Sequence, residues 1–524
     1  MNKKKMVLAA MLAALACILA CCGREGRGTQ QTETIGPEPL VNFKAVVLGN
    51  PPDTGLEEIY ARLDELTVPE LQCTLRFEFI PWGDERKQLN IATASGEYDF
   101  IPGGIFSDYR ILVSKNAFLD LNDYLYLVPE LVKHYSTYSE NTLKDCEIDG
   151  GLYGIPQFGM GGIMDVNEGF FYREDLRKEW GLPEITDLDS MEAYLYRAKQ
   201  DDRYREEALI TDNRIWQSLW LMVTGGKYLE VNSMMETPFV VVEAKDPYTL
   251  VNRLETPEFA QVLYYINKWR RDGILESDLL ALSDNEGARG KSLMLADRKP
   301  CETNVPDWSA GASHVPDLTE AHPEWEYGFY LYTSGNEKWY ITSLASASVV
   351  SVSSKTQDPE KAIRLLEKIH TDQRYYDLVR YGVEGIHFKK VGENISYDGV
   401  PGSRRFGWTV CSDDLLNYEA VPANEQWYRD VEVKQGEWKE GLAKIAFPHP
   451  LDGFNIRTGG IEKELSQMET ARLQYFQPLV CGYYDSIEEG IARTKEALNQ
   501  AGFTVYMENL QEQLDAWGNE KKTR

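Results

Sequence analysis

The sequence predicts an α/β protein, and three observations carry that expectation. Apolar strand patterns and amphipathic helix patterns alternate from Phe43 to Ile101. Longer capped helices then punctuate the chain from Thr256 to Trp517. With 43% hydrophobic and 11% aromatic residues, the chain can fill ordinary cores. Phe43 to Leu48 is a short apolar run that ends in Gly49-Asn50-Pro51-Pro52, the pattern of a buried strand entering a turn. Thr54-x-x-Glu57 reads as a capping box, with Leu56, Ile59, Tyr60 and Leu63 following at helical spacing. Cys73, Leu75, Phe77 and Phe79 alternate with Thr74, Arg76 and Glu78, the period of a half-buried strand. A helix from Asp84 to Ser95 and a strand from Tyr98 to Ile101 complete a parallel layer. In such layers ligands bind beyond the carboxyl ends of the strands, here the loops Pro81-Trp82-Gly83-Asp84 and Pro102 to Ser107.

Further along, Thr256 caps a helix with Pro257 at its first position, and Phe259, Val262, Leu263 and Ile266 line one face. Asp358-Pro359-Glu360 opens another helix that turns Ala362, Leu365, Leu366 and Ile369 inward. Ile487 to Gln500 and Met507 to Trp517 read as the last two helices. No internal repeat is evident.

The amino terminus reads as a targeting segment. Lys3, Lys4 and Lys5 precede an uncharged stretch from Met6 to Ala20. That stretch is shorter than the ~20 residues a membrane span needs, and it fits a secretory signal. A cysteine directly after such a stretch resembles the lipobox of bacterial lipoproteins, which implies acylation at Cys21, with Cys22 as the alternative. Gly23 to Pro39 holds almost nothing apolar and is expected to form a flexible tether of about 20–25 Å.

Composition excludes several functions. A formal charge of −28 disfavours nucleic acid and anionic lipid surfaces. The five cysteines past the lipobox (Cys73, Cys146, Cys301, Cys411 and Cys481) are scattered and show no zinc-ligand spacing. Asp145-x-Glu147-x-Asp149-Gly150 fails as a calcium loop because Pro156 stands where a bidentate Glu is required. No metal or cofactor is expected.

Six motifs in order resemble the extracellular solute-binding proteins of carbohydrate ABC importers, family 1, and within it the LipO-like lipoproteins. They include Pro81-Trp82-Gly83-Asp84 with Ala94 to Asp99, Asp149 to Pro156, and Tyr172 to Leu176 with Gly181-Leu182-Pro183. Tyr381 to Phe388, Pro450 to Phe454 and Glu508 to Trp517 complete the set. The resemblance implies a two-lobe periplasmic-binding-protein-like fold of type II, each lobe a mostly parallel sheet flanked by helices, with hinge crossovers. It implies a signal peptide at 1–21 and a tether at 22–39. One lobe would hold 40–158 plus about 345–400; the other would hold 159–344 plus about 401–524 and the C-terminal helices.

The implied function is a lipid-anchored receptor on the outer face of the cytoplasmic membrane. It would capture a sugar or oligosaccharide and present it to ABC permease subunits by hinge closure, as a monomer and without chemistry. An extracellular glycoside hydrolase and a lipoprotein serving a signalling partner are the alternatives. A sugar site wants aromatic platforms and polar edges. Trp82, Asp84, Phe158, Trp216, Trp308, Trp339 and Tyr340 are the ligand-binding candidates. Trp216 and Trp220 stand four apart on one helix face, a spacing that more often marks a core than a platform. Glu384 and His387 read as a turn fixed by side-chain hydrogen bonds rather than a catalytic pair.

Overall fold

The computed structural model describes residues 39–81, 85–104, 106–136, 142–157, 168–231, 237–281, 287–306, 314–341, 348–397 and 399–402. Beyond these it describes 415, 416, 418, 433, 437, 440, 441, 444–451, 454 and 456–523. In chain order, strand β1 (Val41–Leu48) leads to helix α1 (Leu56–Leu71), strand β2 (Cys73–Ile80), helix α2 (Glu85–Ser95) and strand β3 (Phe100–Gly104). A short helix α3 (Tyr109–Ser114), helix α4 (Pro129–Ser136) and strand β4 (Ile155–Pro156) follow. Next come β5 (Glu168–Arg173), α5 (Leu188–Gln200), α6 (Ile215–Thr224) and strands β6 (Tyr228–Glu230), β7 (Val240–Glu243) and β8 (Asp246–Asn252). The chain continues through α7 (Pro257–Arg271), α8 (Gly287–Leu295), β9 (Cys301–Pro306), β10 (Tyr327–Leu331) and β11 (Trp339–Ile341). It closes with β12 (Ser348–Val352), α9 (Pro359–Thr371), β13 (Ala446–Pro448), α10 (Glu462–Ala471), α11 (Ile487–Gln500) and α12 (Phe503–Thr523).

The first core is built on a five-stranded sheet in the order β2-β1-β3-β12-β4. β1 pairs in parallel with β2 from Val41↔Cys73 to Leu48↔Ile80, as strands joined by a helical crossover must. β12 arrives from the far side of the sequence and runs antiparallel between β3 and β4. Phe43, Ala45, Leu75, Phe100, Ile101, Val349 and Val350 are fully buried there, covered by residues of α1 and α9.

The second core gathers β5, α5, α6, α7 and the C-terminal helices around Phe170, Met191, Tyr194, Leu219, Phe259, Trp269, Phe476 and Leu510. A small satellite of Phe171, Met294, Val305 and Leu318 lies on the other face of β5. Sequence reasoning expects a mostly parallel sheet here too, and the described strands differ. β9 and β10 flank β5 antiparallel, and β6, β7 and β8 form an antiparallel meander. Only Ala244 and Lys245 separate β7 from β8, far short of the dozen or more residues a parallel crossover requires.

Helix starts are mostly where the caps place them. The Thr256 hydroxyl accepts from Phe259 N at 3.2 Å, and Asp358 accepts from Lys361 N at 3.0 Å. α1 is the exception. Its cap is Gly55, at φ +84, with no side-chain cap, so Thr54-x-x-Glu57 does not form the expected box. A Cβ on Gly55 would stand 2.5 Å from Ile386 Cγ2 and 2.8 Å from the His387 ring, so glycine is needed for approach as well as dihedral.

Candidate functional site

Because β1, β2 and β3 are parallel, their carboxyl ends share one edge of the first core, the edge where such sheets bind ligands. Past β3 the chain turns through Ser107 and Asp108 into α3. The Asp108 carboxylate is clamped from α2, taking Arg86 Nη1 at 2.9 Å and Asn90 Nδ2 at 2.6 Å. This fixes the loop and neutralises the guanidinium at the same time.

A cavity of about 70 Å³ lies between that loop and the second core. Arg86, Ser107, Asp108 and Arg110 line one wall; Thr237, Thr458, Glu469 and Tyr506 line the other. Arg110 bridges the two, its Nη1 donating to the Ile456 carbonyl at 2.8 Å. Ile111, Ile456 and Leu465 add apolar lining to this seam between the cores.

The second core contributes one end of the β9-β5-β10 sheet. Glu168 opens β5 opposite Pro306, the last residue of β9, and Leu331 ends β10 opposite Gly169. The approach to α6 lies against the same end. Arg214 reaches Asp212 at 2.8 Å and Glu168 at 3.7 Å. Burial pushes the Glu168 carboxyl up to about 7; Arg214 opposes that rise and Asp212 adds to it. Nearby in the chain, Lys299 is buried with its ammonium on Glu302 (2.9 Å) and Thr211 (3.1 Å). Such groups can orient hydroxyls, and nothing in their arrangement pairs an activated nucleophile with a base.

The sequence candidates fall in several places. Trp82, Asp84, Phe158 and Trp308 lie outside the described residues, as do Cys21 and Cys22. Trp339 is in β11, paired in parallel with Ala446 of β13; Tyr340 is half-buried, its ring 6.3 Å from that of Phe447. Trp216 is a correction. It is 3% exposed and wedged edge-on against Phe476 (5.4 Å) and Phe259 (6.5 Å), so it has no ring face to offer. Trp220, one turn on, stacks on Tyr228 at 5.3 Å. The four-residue spacing of the two tryptophans is that of an inward helix face.

His387 is structural. Its Nδ1 accepts from Val383 N at 3.0 Å and its Nε2 meets the Thr54 carbonyl at 3.0 Å, while Glu384 is exposed. Arg86, Asp108, Glu168 and Arg214 are the polar groups that sequence reasoning missed. Glu168 was traceable as a lone charge opening the apolar run Gly169 to Tyr172.

Comparison with known proteins now bears on this geometry. A family profile described as a domain of unknown function (DUF3502) matches residues 450–519. Over 529 aligned residues the chain is 22% identical to a carbohydrate ABC transporter substrate-binding protein of Streptococcus pneumoniae, covering 99% of each. The N-glycan transport solute-binding protein NgtS of S. pneumoniae, in complex with Man5GlcNAc, superposes with a TM-score of 0.68 at 19% identity. That match covers 92% of this chain and 99% of NgtS. This chain has the solute-binding-protein fold. The alginate-binding protein AlgQ2 (TM-score 0.62, 14% identity, 91% of this chain and 98% of AlgQ2) shares it. So does S. pneumoniae FusA in complex with kestose (TM-score 0.61, 12% identity, 91% and 100%). The curated relative's name, a carbohydrate ABC transporter substrate-binding protein, is of the class that the six motifs resemble.

Proposed function

We propose that this chain is a receptor that captures an oligosaccharide and passes it, unaltered, to the permease of an ABC importer. One observation carries the reading: the correspondence with glycan-bound NgtS runs through both cores and nearly the whole of each chain. The reading divides the body into a lobe of 40–158 plus about 345–400 and a lobe of 159–344 plus about 401–524. Ligand sits between them and hinge closure encloses it. Closure creates a surface that an open receptor lacks, and the permease reads that surface. Of the residues first expected at the site, Trp82, Asp84, Phe158, Trp308, Trp339 and Tyr340 remain its proposed ligand contacts. Acylation at Cys21, or at Cys22, would hold the receptor to the outer face of the membrane. Among the described residues no helix is long and apolar enough to cross one.

A thermal-shift screen tests the reading. Man5GlcNAc, kestose and alginate oligosaccharides are the first panel; a ligand at 100 times its Kd adds about 2.7 kcal/mol of stability. No shift with any glycan would remove the carbohydrate assignment. Cleavage products would replace the receptor with a hydrolase. Radiolabelled palmitate incorporation lost in Cys21→Ser or Cys22→Ser identifies the anchor.

A further inference from the structure

At the Glu168 end of the second core's sheet, Asn304 stands in β9 at φ +55. That left-handed conformation is uncommon outside glycine, and Asn is among the few residues that adopt it readily. Here the register against β5 slips between Glu302 and Val305, which makes Asn304 part of a bulge. Its backbone N–H donates to Tyr332 Oη at 3.4 Å, and the Ser218 hydroxyl bonds one arm of its side-chain amide. The other arm is buried and meets no partner among the described residues, in a side chain belonging to a residue only 5% exposed. Leaving such a group unpaired opposes folding, and each native instance calls for an explanation.

The surroundings supply one. Thr303 Oγ1 and Thr333 Oγ1, toward the same end of the sheet, are also buried without partners. The Tyr332 phenol lies within electrostatic reach of Glu168 and Asp212. Arg214, joined to both carboxylates, keeps 27% of its side chain exposed, so that ion cluster reaches solvent. A sugar hydroxyl donates and accepts at once. It therefore complements the remaining amide arm whichever way the amide is turned.

We propose that Asn304 is a specificity-determining residue whose unpartnered amide arm hydrogen-bonds a hydroxyl of the bound glycan. This rests on the reading of the chain as a glycan receptor. The left-handed backbone then serves to aim the amide, and the missing bond is made only when ligand arrives.

Calorimetric titration of the full chain with Man5GlcNAc, kestose and alginate oligosaccharide tests this, using N304D and N304G. Asp keeps the left-handed preference and an acceptor for Ser218 but removes the NH₂; Gly keeps the backbone and removes the arm. The expected result is wild-type binding of at least one glycan, weakened about tenfold or more in whichever variants fold. The ligand-free melting temperature of N304G should stay within about 4 °C of wild type. Unchanged affinity in a folded variant overturns the assignment alone and leaves the receptor intact. Collapse of both variants without ligand also overturns it, because the amide is then only structural. A wild type that binds none of the three removes the carbohydrate assignment and this inference with it.

Discussion

Gln157 and Ser348 hold each other twice. The Ser348 hydroxyl donates to Gln157 Oε1 at 2.6 Å, while the Gln157 N–H donates to the Ser348 carbonyl at 2.9 Å. Gln157 directly follows β4 and Ser348 begins β12, so the pair fastens neighbouring strand ends at the margin of the first core. Both are buried, at 5% and 2% exposure, so water cannot replace the lost bond. Ser348→Ala and Gln157→Ala should each cost about 1–3 kcal/mol, with a coupling near 1 kcal/mol in the double mutant, read by urea unfolding. Independent, additive losses would show that the side-chain bond contributes nothing.

Arg253 is fully buried between the rings of Trp216 and Trp220, 5.4 and 4.5 Å from their centroids, and pairs with Glu230. Removing one partner strands the other. Arg253→Ala should cost about 3 kcal/mol or more, whereas Arg253→Met combined with Glu230→Leu should recover most of that loss. Equal losses in the two proteins by chemical denaturation would show that the charge pairing is not the term that matters.

His370 sets an acid limit. It is fully buried beside Tyr135, its Nδ1 on the Leu366 carbonyl at 2.7 Å, and burial lowers its pKa from 6.5 to about 4. The unfolded chain therefore binds a proton that the folded chain refuses as pH falls from 6.5 to 4. Stability should decline across that window by up to about 3 kcal/mol, and His370→Leu should flatten this part of the profile. Denaturant midpoints measured at half-unit pH steps check it.

Two glycines separate strain from contact. Gly55 (φ +84) and Gly150 (φ +87) share a conformation, but a Cβ at Gly55 meets Ile386 and His387 whereas one at Gly150 meets nothing within 4 Å. Gly150→Ala should cost about 1 kcal/mol and Gly55→Ala about 2–3 kcal/mol by chemical denaturation. Equal losses would mean that the Ile386–His387 turn yields freely.

What sequence made legible is local. The alternation at Cys73, Leu75 and Phe77 announces β2 because those three residues are buried on one face of the strand. Thr256 and Asp358 announce their helices because a cap is read within four residues. Pairings between distant segments leave no such mark. Nothing near Ser348 to Val352 says that this run will lie between β3 and β4, and nothing near Asp108 says that Arg86 will neutralise it. Trp216 shows the same limit from the other side. An aromatic residue on a helix looks alike whether its neighbours are Phe476 and Phe259 or a sugar.

The insertion of β12 beside β3 also dictates an order of events. The strand that covers β3 is made some 250 residues after it, and β3 is an unguarded sheet edge until then. A chain emerges amino end first during synthesis, so β3 stays uncovered until Ser348–Val352 has been made. Fragments that stop short of Ser348 should be the most prone to clump or to need a chaperone.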